Sequence, residues 1–455
     1  MKLQHFFSSL CILFLLGACS SDDNGAAPVT PEESNAPPVA ADQTFSVFED
    51  ITDADNIAQL VATDADGTAL VFDIINDPSE LFTVTPGGIL RLVNGASLDF
   101  EQAQAHTLTI NVSDGVENIN FTVTLEVQNI IENLFEDPGS FIITLNVEDA
   151  ASKVTIPTVE GLDYKYSLDW GDGSPEVDFG DGTSPTHEYA SAAQYQVAIK
   201  GDFPAIRMGD LGEKDAGRLV SLDQWGTTVW ETLEEAFAGA ENMVYTAEDI
   251  PNLEEVSSMQ KTFYNARAFN GDLNAWDVSQ VKDMTATFQN AEVFNGNLSE
   301  WNVGNVVSMK DMFNGATAFE GGDLSQWMVD NVTDMSAMFK DAVLFNSDIS
   351  GWEVGKVIDF EGTFLNAEAF DQSLAEWNVF AAASFNQMLT MLSDSGLSTE
   401  SYSATLVGWS QLDAIDLGVD FAPTGLVYCG DEAKTALTVL EGKGWTIIGH
   451  SECSN

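Results

Sequence analysis

Apolar residues recur through the second half of the chain with a single period. Trp276, Trp301, Trp327, Trp352 and Trp377 stand 25, 26, 25 and 25 residues apart. Val278, Val303, Val329, Val354 and Val379 follow them by two residues, and Leu273, Leu298, Leu324, Ile349 and Leu374 precede them by three. Phe288, Phe313, Phe339 and Phe364 keep the same beat, as do Ala291, Ala316, Ala342 and Ala367. One such unit cannot enclose its own apolar side chains. Stacked units can, because like positions lie above one another and form columns. Trp225, Leu233, Phe237 and Ala240 extend the phase backwards, then Pro251 (in the place of Trp), Val256, Met259 and Phe263, so about seven units fill residues 209–395. Within a unit, Phe269 to Val278 predicts a strand, since it ends in Trp and Val. Met284, Phe288 and Ala291 lie at helical spacing and predict one or two helical turns over 285–291. The tail, 396–455, loses the period and predicts a small α/β cap. Its parts are a helix from a capping Thr399 to about Trp409, a second over Asp431 to Leu440, and a strand over Trp445 to Ile448.

The first half alternates with period two. Thr44 to Phe48, Leu70 to Ile74, His106 to Val112 and Phe121 to Val127 read as strands separated by turn residues, a β-sandwich over 37–133. A second sandwich, 134–208, is predicted from Phe141 to Val147, Val154 to Ile156, Tyr164 to Trp170 and Tyr195 to Ile199, with a hairpin at Trp170-Gly171-Asp172-Gly173-Ser174. The expected fold class is mainly β and multidomain: two β-sandwiches, a repeat solenoid with short strands and short helices, and the cap.

Polar motifs add chemistry. "VATDADG", "LDFE" and "NVSDG" together resemble a cadherin repeat. That resemblance implies calcium ligands at two poles: Glu49, Asp99 and Glu101 at one, Asp64, Asp66 and Asp114 at the other, where Asn35 can join. Calcium takes six to eight hard oxygens, which carboxylates on adjacent loops supply. The terminal motif departs from the family, with Asn129 and Ile131 where its Asp and Asn would stand. The "WGDG", "THEY" and "YQV" segments resemble a PKD-type immunoglobulin-like domain, which implies structural roles for Asp172 and His187. The 25-residue unit, W-x-V-x-x-V-x-x-M with a later F-x-x-A-x-x-F-N, resembles the BspA-like leucine-rich-repeat family of bacterial surface proteins. Adhesion to host proteins, other cells or matrix is what that resemblance implies.

The first residues change the setting. Met1-Lys2, an apolar run from Phe6 to Leu16, and Leu16-Gly17-Ala18-Cys19 resemble a lipoprotein leader. The resemblance implies a signal peptide over 1–18, lipidation at Cys19, a tether over 19–36, and an outer-membrane, surface-exposed protein held to the membrane only through its lipid. Ser20 to Asn24 resembles the surface-export signal of Bacteroidetes lipoproteins. Cys11 leaves with the leader, so Cys429 and Cys453 remain as a pair expected to form a disulfide in an oxidising compartment. The 72 acidic against 16 basic residues, net −56, argue against nucleic acid or anionic lipid as partners and favour cations. No catalytic constellation stands out, and a non-enzymatic role is expected. Two functions remain: a surface adhesin binding a host or neighbouring-cell protein or matrix, with calcium in the cadherin-like module, or a glycan-binding component of a polysaccharide-capture system.

Overall fold

The computed structural model describes residues 34–180, 182–382, 387–413 and 418–454. The leader and Cys19 lie outside the described residues. The chain divides into two compact units, one ending at Ile130 and one beginning at Ile131, and it is mainly β with few helices.

Among the described residues, the first unit holds seven strands: β1 (Gln43–Phe48), β2 (Ala58–Gln59), β3 (Val71–Asn76), β4 (Phe82–Val84), β5 (Ile89–Leu92), β6 (Ala105–Ser113) and β7 (Asn118–Gln128). They form a four-stranded sheet, β1-β7-β6-β3, and a three-stranded one, β2-β5-β4. β1 runs parallel to β7, and β6 and β7 pair antiparallel along nine residues. Alternation then buries Leu108, Ile110 and Val112 against Val123, Leu125 and Leu90, each fully enclosed.

The second unit opens with β8 (Phe141–Val147), β9 (Ser152–Thr155), β10 (Lys165–Asp169), β11 (Val177–Phe179), β12 (Thr186–Tyr189) and β13 (Ala193–Asp202). After a one-turn helix α1 (Glu213–Ala216), β14 (Leu219–Gln224) pairs antiparallel with β8, and β15 (Val244–Tyr245) pairs parallel with β14. The six-stranded order is therefore β11-β10-β13-β8-β14-β15, and this sheet runs on from the sandwich segment into the first repeat. One apolar core continues from Phe141 to Leu440.

The repeats stack, but not from the pieces expected. No strand forms over Phe269–Val278 and no helix over 285–291. The units instead meet at single parallel bridges, Ser258 to Asp283 to Ser308 to Asp334 to Asp359. Beyond each bridge, alternate N–H groups leave the unit: Met284, Ala286, Phe288 and Asn290 donate to the carbonyls of Ser308, Lys310, Met312 and Asn314. The same four-bond rung recurs at Met259, Lys261, Phe263 and Asn265 and again at Met335, Ala337, Phe339 and Asp341. A helix would spend those donors internally. Positive φ at Ala286 (56°) and Asn290 (58°), four residues apart, breaks any helical run. The second of these positions is Gly239, Asn265, Asn290, Gly315, Asp341 and Asn366 in successive units, the residue types that tolerate this conformation.

Inside the stack, Phe288, Phe313, Phe339 and Phe364 lie ring on ring at 5.5–5.6 Å. Trp301, Trp327, Trp352 and Trp377 form a second column at 6.1–6.4 Å. These indoles also donate backwards. Trp301 Nε1 reaches the Leu273 carbonyl at 2.8 Å, and Trp327, Trp352 and Trp377 reach Leu298, Leu324 and Ile349 at 3.0 Å. The column is core, with each tryptophan 3% exposed or less.

The C-terminal residues close the stack. Helix α2 (Thr399–Gln411) is capped by the Ser398 side chain, which accepts the Ser401 N–H, rather than by Thr399. Trp409 on α2 continues the indole ladder by donating to the Leu374 carbonyl at 2.9 Å. Helix α3 (Asp431–Gly442) packs on α2, and short parallel pairs β16–β18 (Asp420–Phe421 with Thr446–Ile447) and β17–β19 (Val427–Tyr428 with Ser451–Glu452) complete the cap. A disulfide joins Cys429 to Cys453.

Candidate metal centre

Glu49 sits one residue beyond β1, and Asp99 and Glu101 lie in the loop between β5 and β6. Their carboxylate oxygens come within 4.8 Å of one another. Glu49 is only 5% exposed. Its two oxygens accept the Phe100 N–H at 2.7 Å and the Ile130 N–H at 2.6 Å, which fixes the side chain against both neighbouring loops. Asp99 accepts the backbone and side-chain N–H groups of Gln102, and Glu101 accepts Asn129 Nδ2 at 3.2 Å. Among the described residues, no basic side chain forms an ion pair with any of the three. Three hard oxygen donors with no protein counter-charge fit calcium, whose remaining oxygens come from carbonyls and water in such sites.

The other acidic pole is arranged differently. Asp114 Oδ1 accepts the Val116 and Glu117 N–H groups, each at 2.7 Å, and its Oδ2 accepts Asn35 Nδ2 at 2.8 Å. The Glu117 backbone bond, then those from Asn35 and Val116, hold the Asp114 carboxyl below its ordinary value. Asp64 Oδ1 accepts the Asp66 and Thr68 N–H groups, while its buried Oδ2 has no partner. Asp66 accepts the Ala36 N–H at 2.6 Å. Among the described residues, these three carboxylates do not gather as the first three do. Asn35 does join this pole, through Asp114. Asn129, read in the sequence only as a departure from the family, touches the first pole through Glu101.

In the second unit, His187 Nε2 and Asp172 Oδ2 lie 2.7 Å apart, with the imidazole stacked on Trp170 at 5.0 Å. Burial alone would raise the Asp172 carboxyl, but hydrogen bonds from Ser174 and His187 outweigh it and hold it at about 2. Tyr189, beside them, donates to the Trp170 carbonyl at 2.9 Å. The pair thus pins the hairpin to the return strand β12.

The repeat region, residues 231–322 and 308–402, matches the family model described as "Mycoplasma protein of unknown function, DUF285". No curated protein matches the chain. Among solved structures, it is similar to human protocadherin-24 EC1-2, at 21% identity and a TM-score of 0.19 over 26% of this chain and 52% of that one. It is similar to mouse clustered PcdhgC3 EC1-3 at 25% identity and a TM-score of 0.19, over 21% of this chain and 34% of that one. Human mucin-like protocadherin EC1-2 is similar at 21% identity and a TM-score of 0.19, over 21% and 54%. The chain thus spans between 34% and 54% of the length of these structures.

Proposed function

We propose that this chain is a cell-surface adhesion protein whose cadherin-like first unit is ordered by calcium held at Glu49, Asp99 and Glu101. The observation that carries the metal reading is the convergence of three carboxylates, one of them buried, with no cation of the protein's own. Bringing like charges together costs energy unless an ion neutralises them. Calcium here orders loops and does no chemistry.

Adhesion belongs to the repeat region, read as a BspA-like leucine-rich-repeat solenoid behind a PKD-like sandwich. In support, the repeating letters are spent on the core, which frees the variable positions between them to differ outside. The leader places the protein on the outer membrane as a lipoprotein anchored at Cys19, facing a host or neighbouring-cell protein or matrix.

Calorimetry of the soluble chain with added calcium tests the metal. Extracellular modules bind in the range of about 10⁻⁴–10⁻³ M. Calcium at tenfold its dissociation constant stabilises by about 1.4 kcal/mol, a rise of roughly 5–10 °C for a domain of this size. The rise should vanish in Glu49→Gln combined with Asp99→Asn, and a chain indifferent to calcium sinks the reading. Attachment of cells displaying the full chain, against cells displaying only residues 1–130, tests adhesion: equal attachment would remove the repeats from the role.

A further inference from the structure

A groove of about 890 Å³ opens on the side of the stack, between residues 245–250, 270–277 and 300–302. It lies where the repeat changes. Later indoles donate to a carbonyl in the preceding unit, but the segment before Trp276 carries Glu248-Asp249-Ile250-Pro251 instead of the usual Leu-x-x-Trp. Trp276 is 3% exposed, and its N–H faces the Tyr245 hydroxyl instead of a backbone carbonyl. The same hydroxyl accepts Trp225 Nε1 at 2.9 Å.

The polar wall is held in place by the backbone. Asn270 Oδ1 accepts the Asn295 N–H, Asn274 Oδ1 the Glu300 N–H and Asn302 Oδ1 the Gly304 N–H. Among the described residues, none of these three Nδ2 groups has a protein hydrogen-bond partner, which leaves three amide donors among the lining residues. Asp272 and Asp277 each commit Oδ1 to the N–H two residues on, at 3.1 and 3.0 Å, and keep the other oxygen as an acceptor. The wall therefore sets amide donors beside acceptors, and Glu248, Asp249 and Glu300 add further carboxylates to it. A hydroxyl donates and accepts at one atom, so a row of hydroxyls satisfies such a wall, whereas an anion meets the carboxylates and an apolar group strands both sets. The volume lies within the range of ligand pockets, and fixed side chains lose little freedom on binding.

We propose that this groove binds a neutral, hydroxyl-rich ligand of the oligosaccharide class. The inference goes beyond the adhesion reading and does not depend on calcium. The test uses the full chain and saturation-transfer NMR with maltotriose, cellotriose, mannotriose and triacetylchitotriose, and trigalacturonate as the anionic control. At least one neutral sugar should bind and trigalacturonate should not. Asn270→Asp with Asn302→Asp keeps the oxygens that hold the backbone but turns two donors into acceptors, and Ala275→Trp fills the exposed groove floor. Each should weaken sugar binding at least tenfold with Tm unchanged, and calcium removal should not alter it. Failure of all four neutral sugars, equal binding of trigalacturonate, or binding indifferent to both variants would overturn the proposal.

Discussion

Carboxylates do opposite things in the two units. In the first, Glu49, Asp99 and Glu101 arrive from distant stretches of chain and meet at a point. In the second, Asp283, Asp334 and Asp359 are spread along a line, and each uses Oδ1 to accept the N–H two residues on, at 2.9 Å. Convergence concentrates charge at one place. Repetition dilutes charge, and the line alternates Ser and Asp until its last step, where Asp334 and Asp359 fall side by side. Burial, then the neighbouring Asp334, pushes the Asp359 carboxyl up. Acidic composition alone therefore says little about metal binding; the path by which the chain returns to a point decides it.

Perturbations should separate the two units. The largest effect belongs to the aromatic column: Phe313→Ala should cost about 3–5 kcal/mol, lowering the second unit's calorimetric transition and leaving the first unit's in place. Cys429→Ser with Cys453→Ser should cost the second unit about 2–4 kcal/mol in denaturant titrations. Glu49→Gln should cost the first unit about 1–3 kcal/mol with calcium bound and less without it, because one of two half-buried N–H groups then faces an amide donor while the lost charge relieves the cluster. The smallest effects are in pH, and their signs differ. Asp114 is held low by its hydrogen bonds, so its contribution is present above the ordinary value of 3.8 and is lost as pH falls through the depressed value. Asp359 is held high, so its contribution is present below 3.8 and is lost as pH rises through the raised value. Asp359→Asn should therefore raise the second unit's Tm slightly at pH 7 and not below pH 3.8, whereas Asp114→Asn should lower the first unit's Tm at pH 7.

The inward columns were legible because identical side chains at a fixed spacing have few other ways to be buried. The path of the backbone between them was not. Phe288 and Ala291 share a face at helical spacing, yet their backbone donors serve the next unit. The Gly239, Asn265, Asn290, Gly315, Asp341 series carried the missing signal, a column of residues suited to positive φ. At the acidic poles, the resemblance placed Glu49, Asp99 and Glu101 together, and they meet. Asp64 and Asp114 take backbone N–H groups two to four residues on, Asp66 takes that of Ala36, and the three do not gather; Asp99 takes Gln102 in its own turn and still does, and no motif letter distinguishes the two cases.

The rungs beyond each bridge send N–H toward the following unit, whereas the bonds that flank them, Val307 to the Lys282 carbonyl and Ala318 to the Glu292 carbonyl, send it toward the preceding one. At the N-terminal end, the Met208 and Gly209 N–H groups donate to the Ala236 and Glu235 carbonyls. The two ends are therefore closed by different parts of the chain, the first by residues 208 and 209 and the last by α2, whose Trp409 donates to the Leu374 carbonyl.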